Sequence, residues 1–167
     1  MKKITIIIIV IMSTLSALSQ DFYYAVAKEP TPVLNSPDFE AVFGFEGDPP
    51  KNKVTQGIEK RDLTVPFTLN TKGNVLFLEV GEHVDAQYQD ILLDNVTKHC
   101  NGYLIMSWAV RGQEGFGHVN CLDNHEVIPL IESRGFKLME KETKEVRSID
   151  LSEAPWFKNT LLIFKRV

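Results

Sequence analysis

The side chains best suited to chemistry in this sequence are acids, amides and histidines that stand at the ends of apolar runs. Glu46 and Asp48 follow the run Phe39 to Phe45, and Asp62 follows a short β-like stretch that begins near Val54. Glu79-Val80-Gly81-Glu82-His83 closes the run that begins at Asn74, and Ser107-Trp108 interrupts the run Tyr103 to Val110. Ionised carboxylates accept hydrogen bonds and do not donate them, so acidic strand ends suit a ligand with hydroxyl and amino groups better than a bare phosphate. His83 titrates near neutrality when unperturbed and is suited to take a proton from an acceptor hydroxyl or amine, with Glu82 beside it. Glu79-x-x-Glu82-His83 has the outline of an inverted zincin motif. That motif needs a His where Glu79 stands, and Gly81 argues against a helix that would bring both ligands to one face, so no metal is expected.

Something must hold these residues at one edge, and the periodicity supplies it. Phe39 to Phe45, Asn74 to Val80, Tyr103 to Val110, Phe136 to Val146 and Asn159 to Phe164 read as strands. The second and third are apolar on both faces, as strands buried between helix layers are. Asp85 to His99 places Tyr88, Ile91, Leu92 and Val96 at helical spacing, with Asp85 as cap, and Asn124 to Arg134 does the same with Val127, Ile128 and Ile131 before Gly135. Strand and helix in alternation predict an α/β fold with a largely parallel sheet and an antiparallel C-terminal strand. Ligands of such sheets bind outside the carboxyl ends of the strands, where the polar residues collect.

The chain has 167 residues, of which 44% are hydrophobic and 24% charged, and a formal charge of −4. Residues 1–19 have the layout of a secretory signal: Lys2-Lys3, an apolar run from Ile4 to Met12, then small residues up to Ser19. Cleavage after Ser19 is the first expectation and an uncleaved membrane anchor the second, both implying a secreted or exported protein. A misplaced gene start is the third. What remains is one domain's worth of chain, more acidic than the whole, which disfavours an electrostatic grip on nucleic acid. Cys100 and Cys121 allow at most one bridge. Asn95-Val96-Thr97 is a glycosylation sequon by spelling, but it falls inside a predicted helix.

Gly73 to His83, Ser107 to Asn120 with its Gly-His-Val-Asn segment, and Trp156 to Phe164 occur in order. Together they resemble the C-terminal two thirds of a class I S-adenosylmethionine-dependent methyltransferase, in the subgroup with a Leu-Glu-Val-Gly-Glu-His strand end. The resemblance runs from about Val42 to Val167. It implies a Rossmann-like sheet, S-adenosylmethionine as cofactor and a methyl acceptor that is a small molecule or a glycan. It further implies that Glu46 holds the ribose hydroxyls, that Asp62 meets the adenine amino group, and that Glu79 stands beside the methionine end. Glu82 and His83 are then the catalytic pair, with Gln113, His118 and Asn120 lining the acceptor side.

The family's first strand and glycine-rich loop belong ahead of Val42, and no glycine lies between Asp21 and Glu40. Residues 20–41 are therefore an atypical N-terminal segment before a methyltransferase-like domain at 42–167, with the first strand missing or replaced. Phe22 to Ala27 is the candidate replacement, and a partner chain completing the sheet is the other solution. A shortened or inactive enzyme and an exported, non-catalytic binding or scaffold domain are the two functional expectations.

Overall fold

The computed structural model describes the backbone of Ile4–Val10, Phe39–Glu46 and Ile58–Lys60, and residues 61–70, 72–149, 151 and 154–167 with their side chains. The segments Ile4–Val10 (β1), Phe39–Glu46 (β2), Ile58–Lys60 (β3), Gly73–Leu78 (β4), Cys100–Met106 (β5), Phe136–Leu138 (β6) and Leu162–Arg166 (β7) form one sheet in the order β3-β2-β1-β4-β5-β7-β6. The pairs β1/β2, β1/β4, β2/β3 and β4/β5 are parallel, whereas β7 runs antiparallel to both β5 and β6. The α/β class, the mostly parallel sheet and the antiparallel C-terminal strand agree with the sequence reading.

The central slot is filled by the segment with leader-like spelling. Ile4–Val10 pairs with β2 from Ile4 opposite Phe39 onward, and with β4 from Ile6 opposite Asn74 to Val10 opposite Leu78. The composition suits the position, since a strand with parallel neighbours on both sides is rich in β-branched residues and here every residue is Ile, Thr or Val. Strand order reverses at β1/β4, so the crevice outside their carboxyl ends is the expected ligand site. The sheet thus takes in chain on the amino-terminal side of the expected boundary at 42. The substitute strand expected at Phe22 to Ala27, and the cleavage point after Ser19, lie outside the described residues.

Four helices cover the described part of the sheet: Gln89–His99 (α1), Asn124–Glu132 (α2), Glu140–Ser148 (α3) and the short Phe157–Thr160 (α4). The helix expected from Asp85 begins as a 3-10 turn at Ala86–Tyr88, where the Asp85 side chain accepts from the Gln87 N–H at 3.1 Å. Val75 and Phe77 of β4, Leu104 and Met106 of β5, Leu92, Leu93 and Val96 of α1, and Val127 and Ile131 of α2 make the main core. Leu76, Leu78 and Ile105 point the other way, toward Phe157 and Leu161. This alternation is the period of two expected of strands covered on both faces.

Phe136 to Val146 is not one strand. Only Phe136–Leu138 pairs, and Glu140–Ser148 is helical. Glu140-Lys141-Glu142-Thr143-Lys144-Glu145 is a run of mostly strong helix formers, with acids in the first turn and Arg147 in the last, which matches the helix dipole. The two cysteines are unpaired, with Cys100 buried in the core, so the allowed bridge is not formed. No helix among the described residues is long and apolar enough to cross a membrane.

Candidate functional site

The site is built at the carboxyl end of β4, directly beside β1. Chain direction changes at Glu79, whose φ of +52° makes it the one non-glycine residue in the left-handed region among those described. A long side chain there is disfavoured, and such strain persists only where the surroundings impose it. Here they do. The Glu79 N–H donates to Ser107 Oγ at 2.8 Å, the Ser107 hydroxyl donates to Glu79 Oε1 at 2.7 Å, and Gln113 Nε2 donates to Glu79 Oε2 at 3.2 Å.

After Val80 the chain makes a 3-10 turn, Gly81–His83, closed by His83 N–H to the Val80 carbonyl at 3.1 Å and Val84 N–H to the Gly81 carbonyl at 3.2 Å. Gly81 must be glycine, because the Trp108 ring occupies the place a Cβ would take. Trp108 is itself buried at the end of β5 and donates Nε1–H to the Asn120 carbonyl at 2.7 Å.

A loop from Arg111 to Cys121 closes over this turn. The Glu82 carbonyl accepts from the N–H groups of Val119 at 2.8 Å and Asn120 at 3.0 Å, and the Asn120 amide donates to Gln89 Oε1 at 3.1 Å. At its far end Arg111 pairs with Glu126 at 2.6 Å and its N–H reaches Asp123 Oδ1 at 3.2 Å, tying the loop to the capped start of α2. The loop carries His118 to His83, with ring centroids 5.0 Å apart in an edge-on arrangement. His83 Nδ1 lies 3.2 Å from the Gly117 carbonyl and His118 Nδ1 lies 3.1 Å from the Gln113 carbonyl. Gly115 leaves room for the His118 ring, and Gly117 takes a φ of +74°.

Glu82 is fully buried, and neither carboxyl oxygen makes a hydrogen bond of good geometry, although the Glu79 carboxyl and the N–H groups of Glu82 itself and Ala109 lie close enough to act on it. Burial, reinforced by the neighbouring Glu79 carboxylate, pushes its pKa up to about 8. Burial also raises Glu79, but the hydrogen bonds from Ser107 and Gln113 oppose it, so Glu79 is the better carboxylate of the pair. His83 is held below its ordinary value, chiefly by burial and then by the charge of His118, and is neutral at physiological pH. Burial, with the acid of Glu82 behind it, raises the Cys121 thiol.

Six residues singled out in the sequence, Glu79, Glu82, His83, Gln113, His118 and Asn120, are therefore gathered at one strand end and its covering loop. Glu46 closes β2 on the same edge of the sheet, one strand beyond β1. Asp62 lies just past β3 in a turn, where its Oδ1 accepts from the Thr64 N–H at 2.9 Å and the Thr64 hydroxyl at 2.6 Å; these bonds lower its pKa. Asp48 lies outside the described residues. Sequence reasoning did not assign roles to Ser107, Trp108 or Gly81. Their signal was a Ser-Trp pair ending one apolar run and a lone glycine ending its neighbour. No helix containing Glu79 is needed to gather ligands here: Glu82, His83 and His118 come from a turn and a loop and place three ligand atoms within 4.8 Å of one another.

The strand order and the single antiparallel strand define a Rossmann-like fold, which solved S-adenosylmethionine-dependent methyltransferases share. The chain is similar in structure to the magnesium protoporphyrin IX methyltransferase of Synechocystis PCC 6803 solved with bound SAM, with a TM-score of 0.62, 12% identity, and coverage of 99% of this chain and 71% of that one. It is also similar to the N-methyltransferase NodS of Bradyrhizobium japonicum WM9 in complex with S-adenosyl-L-homocysteine (TM-score 0.59, 12% identity, 98% and 79% covered). A third similar structure is the 4+2 cyclase SpnF (TM-score 0.56, 8% identity, 98% and 74% covered). No family model matches the chain, and no curated protein matches it by sequence. At these identities the likeness is one of fold, and the cyclase shows that the fold does not by itself dictate the reaction.

Proposed function

We propose that this chain is a methyltransferase-like protein that binds S-adenosylmethionine in the crevice outside β1 and β4 and passes its methyl group to a small-molecule or glycan acceptor. The observation that carries the reading is the convergence of Glu79, Glu82, His83, Gln113, His118 and Asn120 on the switch point of a methyltransferase-type sheet. The donor set fits the cofactor on its acidic side. Glu79 sets a partly buried carboxylate beside the place for a cationic amino-acid end, and Glu46 stands at the strand end where ribose hydroxyls would be held. Both bonds from Thr64 go to Asp62 Oδ1, which leaves Oδ2 to accept from an exocyclic amino group. The glycine cradle has no counterpart, since no glycine precedes Gly44.

When bound, S-adenosylmethionine supplies an electrophilic methyl group on a cationic sulfur. The chain's part is to hold and orient. Ser107 and Gln113 fix the Glu79 carboxylate in one direction. With Nδ1 tied to the Gly117 carbonyl, neutral His83 keeps the Nε2 lone pair, which in metal-free protein can accept a proton from an acceptor hydroxyl or amine.

Calorimetric titration of the full chain with S-adenosylmethionine tests this reading. Micromolar binding that weakens in Glu79→Gln supports it, and no binding at millimolar ligand sinks the enzyme claim. The second reading, an exported non-catalytic binding or scaffold domain, is supported by the leader-like Lys2-Lys3 and Ile4 to Met12. The two readings compete for the same residues, because cleavage after Ser19 would remove β1. The intact mass of the protein made in cells decides between them.

A further inference from the structure

We propose that Glu82, His83 and His118 form a binding site for one divalent transition-metal ion of the zinc class. One carboxylate oxygen and two imidazole nitrogens lie within 4.8 Å of one another. Mixed oxygen and imidazole ligation suits Zn²⁺ and its neighbours, whereas Mg²⁺ prefers oxygen alone.

The hydrogen bonds around the trio point the same way. Both histidines turn Nδ1 to a backbone carbonyl, Gly117 for His83 at 3.2 Å and Gln113 for His118 at 3.1 Å. A carbonyl only accepts, so each Nδ1 carries the hydrogen and each Nε2 carries the lone pair. That is the arrangement by which outer-shell carbonyls fix metal-binding imidazoles.

The carboxyl group gives an independent sign. Glu82 is fully buried, and beyond the nearby Glu79 carboxyl and the N–H groups of Glu82 and Ala109 its oxygens have no well-formed hydrogen bond. A buried polar group without partners is costly, and a cation beside it removes that cost. The framework is pinned at the same point, because the Glu82 carbonyl takes the N–H groups of both Val119 and Asn120. Ligand atoms at zinc bonding distances stand about 3.3 Å apart in a tetrahedron, so loading draws the loop inward by roughly 1 Å. Gly112 and Gly117, both at positive φ, lie on the amino-terminal side of His118 in that loop. Three protein ligands leave a fourth position open to water or, on the methyl-transfer reading, to an acceptor oxygen, whose proton the ion would make more acidic in place of His83 acting as base, because a metal-bound Nε2 has no lone pair to spare.

The site does not depend on S-adenosylmethionine, and its test uses none. Tag-free full-length protein is freed of metal with a chelator; one portion is titrated with Zn²⁺ by calorimetry, and a separate metal-free portion is loaded with Co²⁺ and its visible spectrum recorded. The expected result is one equivalent bound, with affinity falling about tenfold or more in His83→Ala, His118→Ala and Glu82→Gln. Cys121→Ser should bind as the unchanged protein does, although its sulfur lies 3.7 Å from His118 Nδ1. Thermal melts confirm that each variant is folded, and His118→Gln serves if the alanine variant is not. Absence of binding overturns the proposal. So does binding that survives both histidine changes, or a thiolate-to-cobalt band that marks Cys121 as a ligand. Metal binding without S-adenosylmethionine binding would overturn the cofactor reading alone, and the reverse result would overturn the metal site alone.

Discussion

Two buried polar clusters, one at each end of α1, show opposite treatments of the same problem. At the C-terminal end, Asn95 donates to the carbonyls of Leu63 and Val65 at 3.0 Å each and accepts from the Phe67 N–H at 3.2 Å. His99 sets Nδ1 against the Asn95 carbonyl at 2.6 Å and accepts the Leu69 N–H on Nε2 at 2.8 Å, with its ring stacked on Phe67. Both nitrogens of that histidine are used, and the segment 63–69 is strapped to the helix. At the other end the Glu82 carboxyl has no well-formed hydrogen bond, and His83 and His118 each commit one nitrogen to a carbonyl. A buried polar group whose every atom is satisfied is architecture, whereas one held in place with capacity left over is poised to act.

The largest effect should come from breaking the satisfied cluster. Asn95→Ala strands two carbonyls and an N–H together and should cost about 3 kcal/mol or more. Urea unfolding measures it, and a loss below about 1 kcal/mol would mean that the strap is held by other contacts.

Glu82→Gln should move stability the other way in metal-free protein. The folded pKa of about 8 lies above the ordinary 4.5, so between those values the native state binds the extra proton. Stability contributed by this group is complete below pH 4.5 and falls as pH rises through 8. The Gln variant should lose that slope and gain on the order of 1–3 kcal/mol at pH 9, read from melts across pH. An unchanged slope would place the titration elsewhere.

His99 should give a smaller slope of opposite sign. Its pKa is held below the ordinary 6.5, first by burial, so its contribution is intact above pH 6.5 and declines as the unfolded chain takes up protons below it. Its protonation would also forfeit the bond from Leu69. The expected signature is a fall in stability as pH drops below 6.5, absent in His99→Gln.

Asp94→Asn sets the floor. It removes an exposed pair with Arg134 at 2.8 Å and should cost under about 0.5 kcal/mol, since Arg134 keeps Asp90 at 2.7 Å. A larger loss would show that surface pairing, and not only the buried clusters, holds α2 to α1.

Much of the site was legible because strand ends are local features. Glu79, Glu82 and His83 follow an apolar run, and an open α/β sheet puts the ends of its parallel strands on one edge. Asn95 shows the limit. It is spelled as a sequon, yet in the structure it is buried with its amide fully used, a partnership with residues far back in the chain that no local pattern announces. The histidines show the same limit, because His83, His99 and His118 look alike in sequence and differ only in how many ring nitrogens the fold consumes.

The alternation of strands and helices, the two-faced apolar strands and the polar strand ends were determined by the order of residues alone, because periodicity and propensity act over a few neighbours. Tertiary structure decided what those signals could not. Ile4–Val10 has the spelling of a leader and the position of a central strand, since an apolar β-branched run satisfies a secretion channel and a parallel sheet equally well. The left-handed turn at Glu79 and the meeting of Glu82, His83 and His118 likewise exist only once the loop after β5 closes over the turn after β4.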